Sequence, residues 1–353
     1  MHKEKAVVLT GGHLGSPEAK TAHGLIRGTD RFEIVSIIDE SYKGRDAGEV
    51  LDGIHRAIPV WGSVQEALSA EPDIRYCIIG IATVGGLLPD GFLPVIEDCI
   101  RSGISIVNGL HQFLTSQPSL VALAEAHHVT LTDIRKQKEK KDLHFWNAEI
   151  FEVPSVIIAV IGTDCALGKR TTSRMLMQAC KHSGLRAEMV YTGQTGWLQG
   201  GEFGFIVDST LNDFVAGELE YAIVSCWKAR KPDVIFLEGQ SALRNPSGPC
   251  GAEMLVSGNA KYSVLVHAPK RKYYEHLPKW GSIPSLASEI DLIRMYGSEV
   301  IALALNTEGC TTQEAISFQT EYEKQFNIPV LLPLQQGVEK ITGRILQLTK
   351  SKS

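Results

Sequence analysis

Gly162, Thr163, Asp164, Cys165, Ala166, Leu167, Gly168, Lys169, Arg170, Thr171 and Thr172 form one continuous stretch whose residue types suit it to gripping a phosphate. Glycines let backbone N–H groups close around anionic oxygens, a following helix would add the partial positive charge of its N-terminus, and Lys169 supplies a full one. Three carboxylate or imidazole side chains could move a proton. Glu238 ends the apolar run of Asp233-Val234-Ile235-Phe236-Leu237-Glu238-Gly239-Gln240, where a carboxylate can hold a divalent cation, orient water or accept a proton. Asp164 lies inside the glycine-rich turn, and His267 follows another apolar run, placed to act as a base near neutral pH. Arg244 and Arg271 are suited to bidentate grip on carboxylates, and Lys270 to meeting a phosphate as a point charge. Gly239 permits close backbone approach, and N–H groups around it are candidates to polarise a substrate carbonyl. Gln194 and Thr195, between Gly193 and Gly196, offer an amide and a hydroxyl as a substrate loop.

These groups need a frame that brings them together. Residues 155–161 (SVIIAVI) are short, β-branched and apolar, as in a strand buried on both faces, and 171–182 has helical periodicity closed by Gly184. Further strand-like runs at 187–191, 234–237, 263–266, 300–305 and 330–332 alternate with helix-length segments, which predicts a mostly parallel, doubly wound sheet with ligands at the carboxyl ends of its strands. An earlier set at 6–9, 33–38, 76–81, 104–107 and 129–131 has the same βαβ rhythm. The chain therefore reads as α/β throughout, a Rossmann-like domain over 1–150 followed by a phosphate-loop domain over 151–353, with the charged stretch 133–147 as a surface connector.

Bulk properties narrow the function. A net charge of −5 gives no footprint for nucleic acid, no run is long enough to span a bilayer, and no signal-like segment opens the chain. Seven scattered cysteines without paired spacing fit a reduced, cytoplasmic protein, and a homo-oligomer is expected of this fold class. Thr10-Gly11-Gly12-His13-Leu14-Gly15 after the first strand, with Asp39 after the second, is placed like a dinucleotide loop. Its order is not G-x-G-x-x-G, so NAD is not expected.

The phosphate loop departs from the common P-loop: five residues, not four, separate Gly162 from Gly168, and Arg170 stands between Lys169 and the threonines. In this form, and in the later Glu238-Gly239 pair, it resembles dethiobiotin synthetase and its amidoligase relatives. That likeness implies Asp164 facing the reaction and a threonine near magnesium or phosphate, while the wider likeness to P-loop proteins makes Asn306 a candidate contact to adenine. The lysine those relatives carry in the segment equivalent to 192–197 is missing. The order of landmarks along nearly the whole chain, from Ala19-Lys20-Thr21-Ala22 through the loop, Gln194-Thr195-Gly196, Glu238-Gly239-Gln240 and Asn306-Thr307-Glu308-Gly309, resembles a two-domain bacterial family that includes D-glutamate N-acetyltransferase. The resemblance implies acetyl-CoA as co-substrate and an acidic amino acid as acceptor, and no residue is assigned to a metal. Position in the sequence then makes Glu238 the first choice of base, ahead of Asp164 and His267, with Arg244 and Arg271 on the substrate carboxylates. Two other readings remain: a Mg-ATP-dependent ligase or kinase acting on a small carboxylate, and a nucleotide-binding regulatory module without turnover.

Overall fold

The computed structural model describes residues 3–350. The chain forms two compact units, one of residues up to Gln137 together with Gln194–Gly200, the other of Lys138–Gly193 and the chain from Gly201 onward. The division thus falls a dozen or so residues before position 150.

In the first unit six strands form one parallel sheet: β1 (Glu4–Leu9), β2 (Phe32–Ile38), β3 (Val60–Trp61), β4 (Tyr76–Ile79), β5 (Ser105–Asn108) and β6 (Leu131–Asp133), in the order β3-β2-β1-β4-β5-β6. This is the doubly wound order of dinucleotide-binding folds. Val7, Leu9, Cys77, Ile79 and Ile106 face one layer of helices, and Ala6, Val8, Ile37, Ile78 and Val107 face the other. Strands covered on both sides must be apolar on both, hence the unbroken runs in the sequence. Two-residue β3 is too short to leave a periodic signal. The last strand lies two residues later than the run at 129–131 suggests, because Asp133 is an interior group: its carboxylate accepts from the N–H groups of Leu114 (3.0 Å) and Thr115 (2.9 Å) and from the Asn108 amide (2.7 Å).

The expected surface connector at 133–147 is accordingly only partly one. Asp133 and Arg135 are buried, and only the 3-10 turn Lys140–Asp142 forms within it. Lys138 and His144 are tied to buried Glu218 of the second unit by contacts of 2.6 and 2.8 Å.

The second unit holds a seven-stranded parallel sheet of β7 (Val156–Gly162), β8 (Ala187–Tyr191), β9 (Phe203–Gly204), β10 (Val234–Glu238), β11 (Tyr262–His267), β12 (Glu299–Leu305) and β13 (Val330–Leu331). Their order is β13-β12-β11-β7-β10-β8-β9. Strand β7 is wholly buried and stands between β10 and β11, so the ends of those three strands open at the point where the winding direction reverses. The helix Lys169–His182 follows the loop and buries Leu176, Ala179 and Cys180.

Between β8 and β9 the chain makes an excursion. The helix Gln194–Leu198 belongs to the first unit, where the Leu198 carbonyl accepts from Thr29 (2.7 Å), the Trp197 carbonyl from Arg31 (2.7 Å), and the Gln199 amide donates to Gly24 (2.7 Å). All seven cysteines are free, and among the described residues no helix is long and apolar enough to cross a membrane.

Candidate functional site

The loop after β7 is shaped by two residues in the left-handed region, Ala166 (φ 54°) and Gly168 (φ 92°), which turn the chain directly into the helix at Lys169. The first backbone bond of that helix closes at Thr172, whose N–H reaches the Gly168 carbonyl at 2.9 Å. The preceding turn is a helix start, whose backbone donors have no partner within the helix, the feature an anion exploits. Lys169 is buried and lies across the loop, with Nζ donating to the carbonyls of Asp164 (2.7 Å) and Ser241 (2.6 Å). Burial lowers its pKa to about 8. The ammonium donates to two carbonyl dipoles that carry no net charge. Arg170 and Thr171 are half-buried beside it, and Thr172 is buried.

Asp164 braces the loop. Fully buried, it accepts from Asn245 Nδ2 (3.0 Å), Arg271 Nη1 (3.0 Å) and the Glu275 N–H (2.8 Å). Arg271 donates in addition to the Cys165 carbonyl (2.7 Å) and to Glu308 (2.7 Å). Asp164, Cys165 and Glu275 bring ligand-type atoms within 4.8 Å of one another, but both Asp164 oxygens are already taken by protein donors. Thr163 Oγ1 lies 2.9 Å from His267 Nδ1. Burial, reinforced by the Arg271 charge, lowers the His267 pKa to about 4 and holds the ring neutral. Asn306 braces the loop from β12, its amide donating to the Leu167 carbonyl (3.2 Å) while its oxygen accepts from the Glu308 N–H (2.9 Å).

Glu238, at the end of β10, is buried, and burial raises its pKa above the usual carboxylate value. Arg170, the N–H groups of Thr192 and Gly193, and Lys169 pull in the opposite direction. The Thr192 N–H meets Oε2 at 3.1 Å, and the Thr192 hydroxyl donates to the Glu238 carbonyl at 2.6 Å. A buried carboxyl whose pKa lies above the usual carboxylate value holds a proton more tightly than an exposed one, as a base requires.

Several sequence expectations change here. Arg244 is spent on buried Glu289 (2.8 Å), and Arg271 on Asp164 and Glu308, so neither guanidinium is an open carboxylate clamp. Asp164 is a brace, a role its three donors enforce. The Gly239 N–H closes the sheet on the Val160 carbonyl (2.9 Å) and so is not aimed at a substrate carbonyl. The glycine matters because a Cβ there would run into that carbonyl and the Lys169 stem. Gln194 and Thr195 are buried in the first unit, Gln194 on Arg135 (2.8 Å) and Thr195 against Thr21 (3.5 Å). Asn245, Ser241 and Thr192 are the site residues that sequence reasoning passed over. All three lie in strand-end segments it had marked, but charge drew attention to Arg244 where the shorter amide of Asn245 makes the contact.

A family model described as "Domain of unknown function (DUF1611_C) P-loop domain" matches residues 144–342, and a companion described as "Domain of unknown function (DUF1611_N) Rossmann-like domain" matches 40–137. The chain belongs to the DUF1611 family. A crystal structure of a DUF1611 family protein from Anabaena variabilis is similar to it with a TM-score of 0.89 and 27% identity, covering 98% of this chain and 100% of that one. Two relatives are named D-glutamate N-acetyltransferase. The one from Pseudoalteromonas sp is 28% identical over 275 residues, 76% of this chain and 80% of its own. The one from Tritonibacter scottomollicae is 26% identical over 294 residues, 80% of this chain and 84% of its own. As a DUF1611 protein the chain thus joins a Rossmann-like N-terminal domain to a P-loop C-terminal domain.

Proposed function

We propose that this protein transfers the acetyl group of acetyl-CoA to the amino group of D-glutamate or a closely similar acidic amino acid. The observation that supports this best is the pairing, at adjacent strand ends, of a phosphate-type loop with a buried carboxylate, Glu238, in a chain whose relatives bear the name D-glutamate N-acetyltransferase. Coenzyme A carries a pyrophosphate and a ribose phosphate, so the loop and Lys169 can hold the donor without hydrolysing it.

The chemistry asks for a proton acceptor. The neutral amine attacks the thioester carbonyl, a C–N bond forms, the C–S bond breaks as the tetrahedral adduct collapses, and the proton lost from nitrogen passes through Glu238 to the departing thiolate. Glu238 suits this better than its rivals: the Asp164 oxygens are filled by three donors, and a His267 with a pKa of about 4 is a weak base. The cation this reading places on a substrate carboxylate is Arg170, whose charge acts on Glu238 and which occupies the position where the common P-loop has a hydroxyl.

The test is to incubate the purified chain with acetyl-CoA and, separately, D-glutamate, L-glutamate and D-aspartate, following free thiol and product mass. Release of CoA matched by an acetylated acidic amino acid supports the proposal. Release of ADP from Mg-ATP with a small carboxylate, and no acetyl product, overturns it in favour of a ligase or kinase; ligand-dependent stabilisation with no product at all favours a regulatory module.

A further inference from the structure

We propose that Gln240 receives the amino group of the acceptor beside Glu238; the proposal deepens the acetyl-transfer reading and rests on it for the identity of the acceptor. Gln240 stands two residues beyond Glu238. Between them the Gly239 N–H still bonds across to the Val160 carbonyl (2.9 Å), so the chain stays extended and both side chains leave on one side. Thr192, Gly193, Glu238 and Gln240 all belong to the second unit.

Hydrogen-bond logic fixes which way the carboxamide is turned. Thr192 is buried, and its hydroxyl has a single hydrogen, which it gives to the Glu238 carbonyl (2.6 Å). Towards Gln240 that hydroxyl can only accept, so the NH2 end of the amide faces it, with Nε2 at 3.0 Å. The second N–H and Oε1 have no partner among the described residues, and Gln240 is only half-buried, so these are the groups it offers to a bound molecule. Thr192 also anchors the carboxylate, its N–H meeting Glu238 Oε2 at 3.1 Å. Gly193 marks how near the two side chains come: a Cβ on it would fall 2.7 Å from Gln240 Nε2 and 3.7 Å from Glu238 Oε1. The amide and the carboxylate thus flank one point. A carboxylate arriving there would be repelled by Glu238, whereas an amino group brings several N–H donors to share between a charged acceptor and a neutral one. Oε1 accepts an N–H whether the nitrogen is protonated or free, so the nucleophile stays in place while Glu238 takes its proton.

The experiment compares the full chain with its Gln240→Ala and Gly193→Ala variants. Gly193→Ala displaces the amide without removing it: the added methyl meets the free end of a flexible side chain at 2.7 Å but the Glu238 carboxylate only at ordinary contact distance. Glutarate is the control, because it has both carboxylates of D-glutamate and lacks the amino group. Initial rates give KM for D-glutamate and acetyl-CoA and the inhibition constant of glutarate. Calorimetry, with and without CoA, gives Kd for D-glutamate and glutarate independently of turnover. Expected for Gln240→Ala is a rise of about tenfold in KM and Kd for D-glutamate, and for Gly193→Ala one of about three- to tenfold, with glutarate and acetyl-CoA moving less than about twofold. A merely structural role would weaken D-glutamate and glutarate together, and that result overturns the proposal. So does D-glutamate binding that neither variant moves, or an unaltered chain that binds D-glutamate no better than glutarate. If Gln240→Ala does not fold, Gly193→Ala decides by the same readouts. A chain that prefers D-glutamate to glutarate, loses that preference in the variants and makes no acetylated product would sink the acetyl-transfer reading and leave the amine contact standing. Acetylation of D-glutamate with KM unmoved in both variants would do the reverse.

Discussion

Each unit opens with a strand that runs into a glycine-bearing loop, and the two loops have become different objects. After β1, the carboxylate of Asp39 seals the turn by accepting from Thr10 Oγ1 (2.6 Å) and the Leu14 N–H (3.1 Å). Leu14 is buried beneath it, and the helix Lys20–Arg27 begins only after a 3-10 turn at Pro17–Ala19. After β7 the helix begins at once with Lys169, and the loop's own carboxylate, Asp164, is held away from the helix donors by Asn245 and Arg271. A shared place in a parallel sheet does not make a phosphate site. What distinguishes the second loop is a helix that begins within it and a buried lysine held by two backbone carbonyls.

The largest effect should follow from removing that cation. Lys169→Ala is expected to lower kcat/KM for acetyl-CoA by about 100- to 1,000-fold and to abolish stabilisation by the ligand, whereas Lys20→Ala, at the start of the helix after the first loop, should change either less than about twofold. Equal losses from the two changes, measured by initial rates and thermal shift, would break the distinction.

The carboxylates should differ in what they hold. Asp164→Asn leaves the buried Arg271 with only the half-exposed Glu308 as a charged partner, a loss of about 3 to 5 kcal/mol, while Asp39→Asn disturbs three neutral donors at about 1 to 3 kcal/mol. Urea unfolding of the two variants compares them directly, and Asp39→Asn as the costlier change would reverse the argument.

Acid should loosen the second loop first. His267 is held neutral in the folded chain to about pH 4, whereas an unfolded histidine takes up its proton near about 6.5. Because the folded value is the lower one, the unfolded chain binds the extra proton as pH falls through that window. Stability is then lost between about 6.5 and 4, by up to about 3 kcal/mol. Hydrogen exchange at 156–182, compared with 4–27, should show the earlier opening, and His267→Gln should flatten it. The smallest change is Asn306→Ala, which removes one bond to the Leu167 carbonyl and should raise KM for acetyl-CoA by about two- to tenfold, read from initial rates.

The sequence by itself determined a good deal of this. Strands buried on both faces leave unbroken β-branched runs, so β7, β8, β10, β11 and β12 were legible almost to the residue, as were the loop with Lys169 and the carboxylate at the end of β10. Tertiary structure decided which polar groups are spent and which are left. Nothing in the order of residues says that Arg244 finds Glu289, that Arg271 finds Asp164 and Glu308, or that Asn245 rather than its charged neighbour reaches the loop. Nor does it say that Gln194 packs within the first unit against Gly109 and Arg135. Backbone periodicity is written in neighbours a few positions apart, whereas the satisfaction of a buried charge depends on partners forty to a hundred positions away, brought near only when the chain has folded.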